Sequence, residues 1–162
     1  MDKQELIAQL VAKLQASARS ALAARDATAA EARDGATPDE KREDARAAHQ
    51  LGTLGKAQQR RAQQALAEID ALATWKPRPA AARVELGAIV EIEDPDSGEG
   101  RTFFLAPVGA GVTLSGPGGD GLLSVVTLAS PIGTAVLGKK LGDVVEIGQG
   151  GDVREWQISY VC

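Results

Sequence analysis

The sequence predicts an α+β protein: an N-terminal antiparallel coiled-coil hairpin of two helices, followed by a C-terminal antiparallel sheet with one short helix. Apolar residues recur at helical spacing through the first 75 residues, which hold only three glycines, whereas glycine, valine and isoleucine are frequent from Arg83 onward. The segment KPRPAAA separates the halves with two prolines. We therefore expect the hairpin at 1–75, a short stiff linker at 76–82 and a second domain at 83–162.

The first helix is predicted over residues 2–33. Leu6, Leu10 and Leu14 recur at fourfold spacing and therefore lie on one face. Beyond Leu22 the apolar stripe contains only alanine, so we expect the partner helix to approach closely there. The residues that extend the stripe in helical register are Ile7, Val11, Ala18, Ala21, Leu22 and Ala29.

A turn and a second helix start are predicted from DGATPDEKRED at 34–44. Gly35 breaks the first helix, Thr37 offers a side-chain cap and Pro38 suits the first helical position. Glu40 falls three residues after Thr37, which completes a capping box. The chain is therefore expected to reverse direction before Thr37 and to return antiparallel.

The returning helix is predicted over residues 38–74, about 50 Å long at a rise of 1.5 Å per residue. Gly52 and Gly55 each cost about 1 kcal/mol relative to alanine inside a helix, so we expect them to mark close helix approach or a local bend. Because the apolar stripe is too narrow for a globular bundle, it favours a coiled coil. The inner side is predicted to hold Ala45, Ala48, Leu51, Ala62, Ala65, Leu66, Ile69 and Leu72.

The second half alternates apolar runs with glycine-rich turns, which is typical of a small antiparallel sheet. One short helix interrupts the strands. Ser130 is expected to cap it, Pro131 to occupy its first position and Gly138 to end it. The strands are predicted at 84–93, 101–108, 112–114, 122–127, 144–147 and 154–161.

Composition excludes several classes of protein. The net charge of −4 offers no broad basic excess that could grip nucleic acid by its phosphates. The single cysteine, Cys162, excludes an internal disulfide and a cysteine-rich zinc site, and this fits a reducing compartment. The first fifteen residues carry charges throughout, so we expect neither a signal peptide nor a membrane span. The expected location is the cytoplasm.

Four carboxylates crowd the first turns of the returning helix: Asp39, Glu40, Glu43 and Asp44. Residues three or four apart share a helix face, so these acids repel one another unless a hard cation such as Mg²⁺ joins them. Acids in a first helical turn also complement the helix dipole without any ligand. Spacing alone leaves both interpretations open.

Other motifs give little sign of chemistry. The only histidine, His49, has no nearby cysteine or second histidine with which to form a metal site. The glycine cluster at 116–121 lacks the lysine and helix of a phosphate-binding loop. No serine, cysteine or threonine has a plausible base and orienting group. We therefore do not expect a free-standing enzyme, nor a cofactor held by this chain alone.

One segment resembles a known family. SVVTLASPIGTAVLGKKLGDVVEI, at 124–147, is similar to the C-terminal signature of the bacterial Gre transcript-cleavage factors, GreA and GreB. Upstream, 84–107 resembles the family's opening hairpin. The resemblance covers 83–161 by motif and the first half by shape. The residues in register with the signature are Ser130, Pro131, Gly133, Ala135, Leu137, Gly138, Lys139, Gly142 and Asp143.

The resemblance implies a fold and a partner. Gre factors combine an N-terminal antiparallel coiled coil with an FKBP-like C-terminal domain. Their coiled coil enters the secondary channel of RNA polymerase, and two tip acids help to hold the second catalytic Mg²⁺, so that the polymerase cleaves backtracked transcripts. Ser130 and Pro131 match the family's polymerase-contact region. The resemblance also allows contact with the 3′ end of the nascent RNA, and we expect a monomer that binds no membrane.

The tip residues depart from the family's pattern in part. Glu40 stands for the family's aspartate and Glu43 for its glutamate, so both keep their acidic character. Asp39 replaces a usual glycine and Asp44 replaces asparagine, which adds negative charge. Three hypotheses follow: a factor that stimulates Mg²⁺-dependent cleavage, a non-cleaving binder of the same channel that modulates or inhibits transcription, and an interaction module whose C-terminal domain docks elsewhere.

Overall fold

The computed structural model describes residues 3–34, 43–79, 82–116, 121–149 and 152–162. Two long helices, α1 (Lys3–Asp34) and α2 (Glu43–Thr74), precede a six-stranded sheet and a short helix, α3 (Pro131–Val136). This confirms the predicted α+β class. The strands are β1 (Ile89–Glu93), β2 (Gly100–Leu105), β3 (Thr113–Ser115), β4 (Leu122–Val126), β5 (Val144–Gln149) and β6 (Asp152–Val161).

The chain forms two compact units, one of residues 12–70 and one of residues 1–11 together with 71–162. The second unit thus contains the first turns of α1 and the last turn of α2 beside the sheet. The domain boundaries expected from the sequence, at 1–75, 76–82 and 83–162, stay a prediction. None of the helices in the described part of the chain is long and apolar enough to cross a membrane.

The unit of residues 12–70 is an antiparallel pair of helices. Arg25 of α1 donates a hydrogen bond from Nη1 to Oε1 of Gln59 in α2, at 3.3 Å. Because the start of α1 and the end of α2 both belong to the other unit, the two helices run in opposite directions. Small residues fill the seam on the near side of Leu22, whereas the close approach predicted beyond Leu22 is not seen, because Ala29 is exposed beside an open groove. The buried apolar side chains of the seam are Leu14, Ala18, Ala21, Ala62 and Ala65.

Three predicted seam residues are exposed instead of buried. Leu66 was expected on the inner side of α2, yet it is 51% exposed. The buried stripe follows Ala62, Ala65 and Leu72, with Ile69 half-buried between them. This is the narrow spacing of a two-helix seam, and a residue one position after Ala65 lies about 100° around the helix from it. Ala48 and Ala29 are also exposed.

The six strands form one sheet in the order β3-β4-β2-β1-β6-β5. Most neighbours are antiparallel, as predicted, but β2 and β4 are parallel, with Phe103 opposite Ser124. The sheet is therefore mixed rather than antiparallel. The reason is that β3 does not pair with β2: it lies outside β4 as an antiparallel edge strand, so β4 returns beside β2 in the same direction.

The core of the second unit lies between the sheet and α3. Trp156 and Ile158 of β6 alternate with exposed residues, as expected for a strand with one covered face. Val136 of α3 covers that face. The larger members of this core are Val84, Val90, Ile92, Phe103, Leu105, Val126, Val136, Val145, Trp156 and Ile158.

Candidate functional site

The predicted acidic tip lies largely outside the described residues. Asp39 and Glu40 are not described, and of Glu43 and Asp44 the structure describes only the helical backbone at the start of α2. The capping box of Thr37 and Glu40 also lies outside the described part. The assignment of a shared Mg²⁺ to these four acids therefore stays a prediction. Among the described side chains, no three metal-ligating groups lie together.

Ser130 and Pro131 lie where the sequence predicts them. Ser130 has extended backbone (φ −78°, ψ 151°) and caps α3, and Pro131 begins the helix. The Ser130 hydroxyl accepts a hydrogen bond from the backbone N–H of Gly133 at 3.0 Å and donates one to the carbonyl of Thr127 at 2.7 Å. The cap therefore also ties the preceding loop to the helix.

Gly133 allows that loop to lie close to α3. A Cβ at this position would come within 2.0 Å of the Thr127 carbonyl oxygen, so any side chain here would displace the backbone. Thr134 adds a second tie, because its hydroxyl donates to the Leu128 carbonyl at 2.9 Å. These contacts fix residues 127–134, which comprise the loop and the start of α3, and Pro131 is exposed there.

A small cavity of about 120 Å³ opens beside this helix start. Pro131 and Ile132 border it on the helix side, and Ile92, Ile147 and Trp156 border it on the sheet side. The ring of Trp156 is buried, with only 3% of the residue exposed. The volume matches one medium-sized apolar side chain rather than the 300–1,000 Å³ typical of small-molecule sites.

Arg101 lies at the same cavity. Its guanidinium carbon is 4.9 Å from the centroid of the Trp156 ring, within the range of a cation–π interaction. Glu99 holds it there, since Nη2 and Nε of Arg101 donate to Glu99 Oε1 at 2.7 and 3.0 Å. Arg154 approaches the other Glu99 oxygen at 3.8 Å. These half-exposed ion pairs add little stability but orient the cation over the ring.

The sequence did not single out Arg101. It lies 55 positions before Trp156, and the two meet because β2 and β6 flank β1 in the sheet. No local pattern reports that adjacency. A second, more open cavity of about 500 Å³ runs along β2 and β4 and also reaches Ser130 and Ile132. The helix start therefore borders two recesses.

Other residues of the predicted signature have structural roles. Gly138 and Gly142 have positive φ, +75° and +87°, which explains why glycine occupies both turns. The Asp143 carboxylate accepts a hydrogen bond from the backbone N–H of Lys140 at 2.8 Å and so closes the turn that leads into β5. These residues fix the turns of the domain, whereas Pro131 lies exposed on its surface.

The sequence matches the family model for the C-terminal domain of transcription elongation factors GreA and GreB over residues 79–161, just over half of the chain. The chain belongs to the GreA/GreB family. The resemblance seen in the sequence is thereby confirmed. Gre factors are accessory proteins of RNA polymerase in transcription elongation rather than enzymes themselves. Among curated proteins, none matches the sequence significantly.

Several solved structures are similar to this Gre-family chain. The transcription factor Gfh1 is 20% identical, with coverage of 94% of this chain and 93% of that one and a TM-score of 0.42. Gfh1 of Thermus aquaticus is 21% identical, with coverage of 94% and 90% and a TM-score of 0.42. The elongation factor GreA/GreB of Nitrosomonas europaea is 24% identical, with coverage of 59% and 77% and a TM-score of 0.39.

Proposed function

We propose that this protein binds RNA polymerase, inserts its helical hairpin into the secondary channel and stimulates Mg²⁺-dependent cleavage of backtracked transcripts. The observation that carries the proposal is that a GreA/GreB C-terminal domain follows, along the chain, two helices of 32 residues each. At 1.5 Å per residue such helices are about 48 Å long, which gives a narrow arm able to reach a distant site. On this proposal the polymerase carries out the cleavage, and this chain stimulates it.

The tip acids are the residues that we propose to act in the complex. Glu40 and Glu43 would hold the Mg²⁺ shared with the polymerase, and Asp39 and Asp44 would flank them. Carboxylates at helical spacing, as the sequence predicts for these residues, fit Mg²⁺, which takes one or two carboxylates together with waters and phosphates. When bound, the ion supplies the charge that activates a water and stabilises the leaving oxygen. In this geometry the same tip would contact the 3′ end of the RNA.

We propose that docking uses the helix start at Ser130 and Pro131. Pro131 is exposed at the edge of the apolar cavity, and the hydrogen bonds of Ser130 keep that edge rigid. A preformed recess of this size suits a single apolar side chain of the polymerase, and Arg101 above Trp156 favours an acidic neighbour beside it. On this proposal the protein works in the cytoplasm as a monomer, with one docking surface and one tip.

Purified protein added to stalled, backtracked elongation complexes tests the tip. Trimming of the RNA 3′ end is expected, and the double variant Glu40→Ala/Glu43→Ala should abolish it while polymerase binding is retained. The matched control is Glu31→Ala/Asp70→Ala, which removes the same charge from exposed positions outside the tip. Trimming that survives in the tip variant would show that other residues hold the metal.

The docking surface needs its own test. Pro131→Arg places a bulky cation at the exposed first position of α3, where a helix tolerates most residues. We expect polymerase affinity to fall by at least about tenfold, or 1.4 kcal/mol. Leu141→Arg is the control, because Leu141 is also exposed, at 66%, but is not among the residues that line the cavity. Equal affinities of the two variants would place the docking surface elsewhere.

The second candidate function is a non-cleaving binder of the same channel. It is favoured by the altered tip, in which Asp44 adds a charge where the family has asparagine and Glu40 is longer than the family's aspartate. The same stalled complexes distinguish the two functions. Slower elongation without trimming would support occlusion of the channel, and Asp44→Asn would then be the variant expected to restore trimming.

A further inference from the structure

The middle of the helical hairpin contains a groove that small residues leave open. Gly52 and Gly55, three positions apart on α2, border a space of about 610 Å³ together with Thr28 and Ala29 of α1. A Cβ built at either glycine would meet nothing within 4 Å. Close helix approach, one of the two reasons expected from the sequence, therefore does not explain these glycines.

The remaining reason is the backbone itself. Glycine is among the least favourable residues in a helix interior because it leaves the chain the most conformational freedom when unfolded. Alanine would fit at both positions without a clash, yet glycine occurs twice within one turn. Two glycines in that arrangement lower the local resistance of α2 to bending.

Threonine side chains compete with the helix backbone at the same level. Thr53, between the two glycines, donates from its hydroxyl to the His49 carbonyl at 3.0 Å. Thr28, across the groove, donates to the Ala24 carbonyl at 2.8 Å. A hydroxyl that bonds to the carbonyl four residues earlier weakens and often bends a helix. Both helices of the pair therefore carry a bend-permitting feature at one height.

Packing across the seam is weak at this height as well. The seam toward the other end of the pair is closed by buried residues such as Leu14, Ala18 and Ala62. From residue 22 to residue 61, Thr28 is the one buried side chain among those the structure describes. Local opening is easiest where few apolar contacts hold the backbone.

We propose that residues 24–28 of α1 and 49–55 of α2 form a joint, about which the distal turns of the hairpin bend relative to the proximal turns. The joint goes beyond the proposed function because it is a property of the helix pair by itself. The joint can be tested on the isolated protein without polymerase, and the result does not depend on whether the tip acids hold a metal.

Distance measurements across the joint test it. With Cys162 replaced by serine, the substitutions Glu31→Cys and Ala67→Cys place spin labels at exposed positions on the two sides of the joint. Double electron–electron resonance should give a broad distance distribution. Gly52→Ala/Gly55→Ala should narrow its width about twofold and slow amide hydrogen exchange at 49–55 by at least about tenfold.

Two comparisons make the test specific. Ser17→Ala/Ser20→Ala also adds two alanines on exposed positions of the hairpin, but at a level where the seam is buried, and it should leave the width unchanged. Thr53→Ala, which removes one back-bond and keeps both glycines, should narrow the distribution partly. Distance distributions of equal width in all variants, or equal narrowing in the serine control, would show that residues 24–28 and 49–55 do not form a joint. Because each change of glycine, serine or threonine to alanine raises helix propensity over the shared labelled background, circular dichroism is expected to show full folding in each variant.

Discussion

At Gly133 the absence of a side chain allows residues 127–130 to close over the first turn of α3. The serine cap, the threonine tie and the glycine act on the same loop, and each uses the Thr127 or Leu128 carbonyl. The exposed edge at Pro131 is therefore held by a few short contacts rather than by a large interface. Single substitutions here should have large effects.

Gly133→Ala is expected to lower the free energy of unfolding by about 2–3 kcal/mol, because the new methyl group would overlap the Thr127 carbonyl and force a backbone shift. Urea unfolding followed by tryptophan fluorescence measures this. Gly148→Ala is the matched control, since its Cβ would meet only Val153, at an ordinary 3.7 Å. Equal stability of the two variants would mean that the loop is not held against the helix.

Ionisation of Asp94 should make the free energy of unfolding depend on pH. Its carboxylate accepts hydrogen bonds from the backbone N–H groups of Asp96 and Ser97, at 2.9 and 3.2 Å, and these bonds lower its pKa from the ordinary value of 3.8. A lowered folded-state pKa contributes stability that is fully present above the unfolded pKa and is lost as pH falls through the folded value.

Asp94→Asn should therefore be less stable than the parent protein near neutral pH, and the difference should shrink below about pH 4 and vanish once the parent carboxyl is protonated. The urea concentration at the midpoint of unfolding, measured for both proteins from about pH 7 down to about pH 2, gives their difference in stability at each pH. A difference that grows as pH falls would contradict the role assigned to the ionised carboxylate.

Among the elements, α1 is divided between two units. Its first turns pack with the sheet: Leu10 is fully buried, and a Cβ at Gly109 would come within 2.7 Å of its side chain. Gln9 and Ser115 exchange two hydrogen bonds, of which the bond from the Ser115 N–H is the shorter at 2.9 Å. The helix base is thus part of the core of the C-terminal unit.

Leu10→Ala should cost about 3 kcal/mol because it empties a fully enclosed site between the helix base and the loop at Gly109. Leu66→Ala, the same chemical change at a half-exposed position of α2, should cost less than about 1 kcal/mol. Denaturant unfolding of both variants provides the comparison. Similar losses at the two sites would mean that the helix base is not integrated in the core.

At the scale of the whole molecule, docking and metal binding are proposed for different parts of the chain. The surface around Pro131 belongs to the sheet unit, whereas the sequence predicts the acids near the turn between the two helices. The joint proposed between them would let the tip adjust to the polymerase channel without disturbing the docked domain. Affinity for polymerase and dependence on Mg²⁺ should therefore change independently.

If Glu43 holds the metal as proposed, Glu43→Gln should raise the Mg²⁺ concentration needed for half-maximal trimming by about tenfold, equivalent to 1.4 kcal/mol, because one anionic ligand would be lost. Polymerase affinity, measured separately, should stay the same. Asp70→Asn, an exposed acid outside the tip, should change neither quantity. An unchanged Mg²⁺ requirement in Glu43→Gln would remove Glu43 from the metal site.

The sequence by itself determined the two long helices, most strand positions, the Ser130 cap and the family, because these depend on signals within a few residues: fourfold apolar spacing, turn glycines and a capping serine before proline. Only the tertiary structure decided that β4 runs parallel to β2, that Leu66 faces solvent and that Arg101 covers Trp156. These features arise from which distant segments become neighbours. A local pattern cannot encode that choice, since it depends on how the whole sheet and helix pair close around their cores.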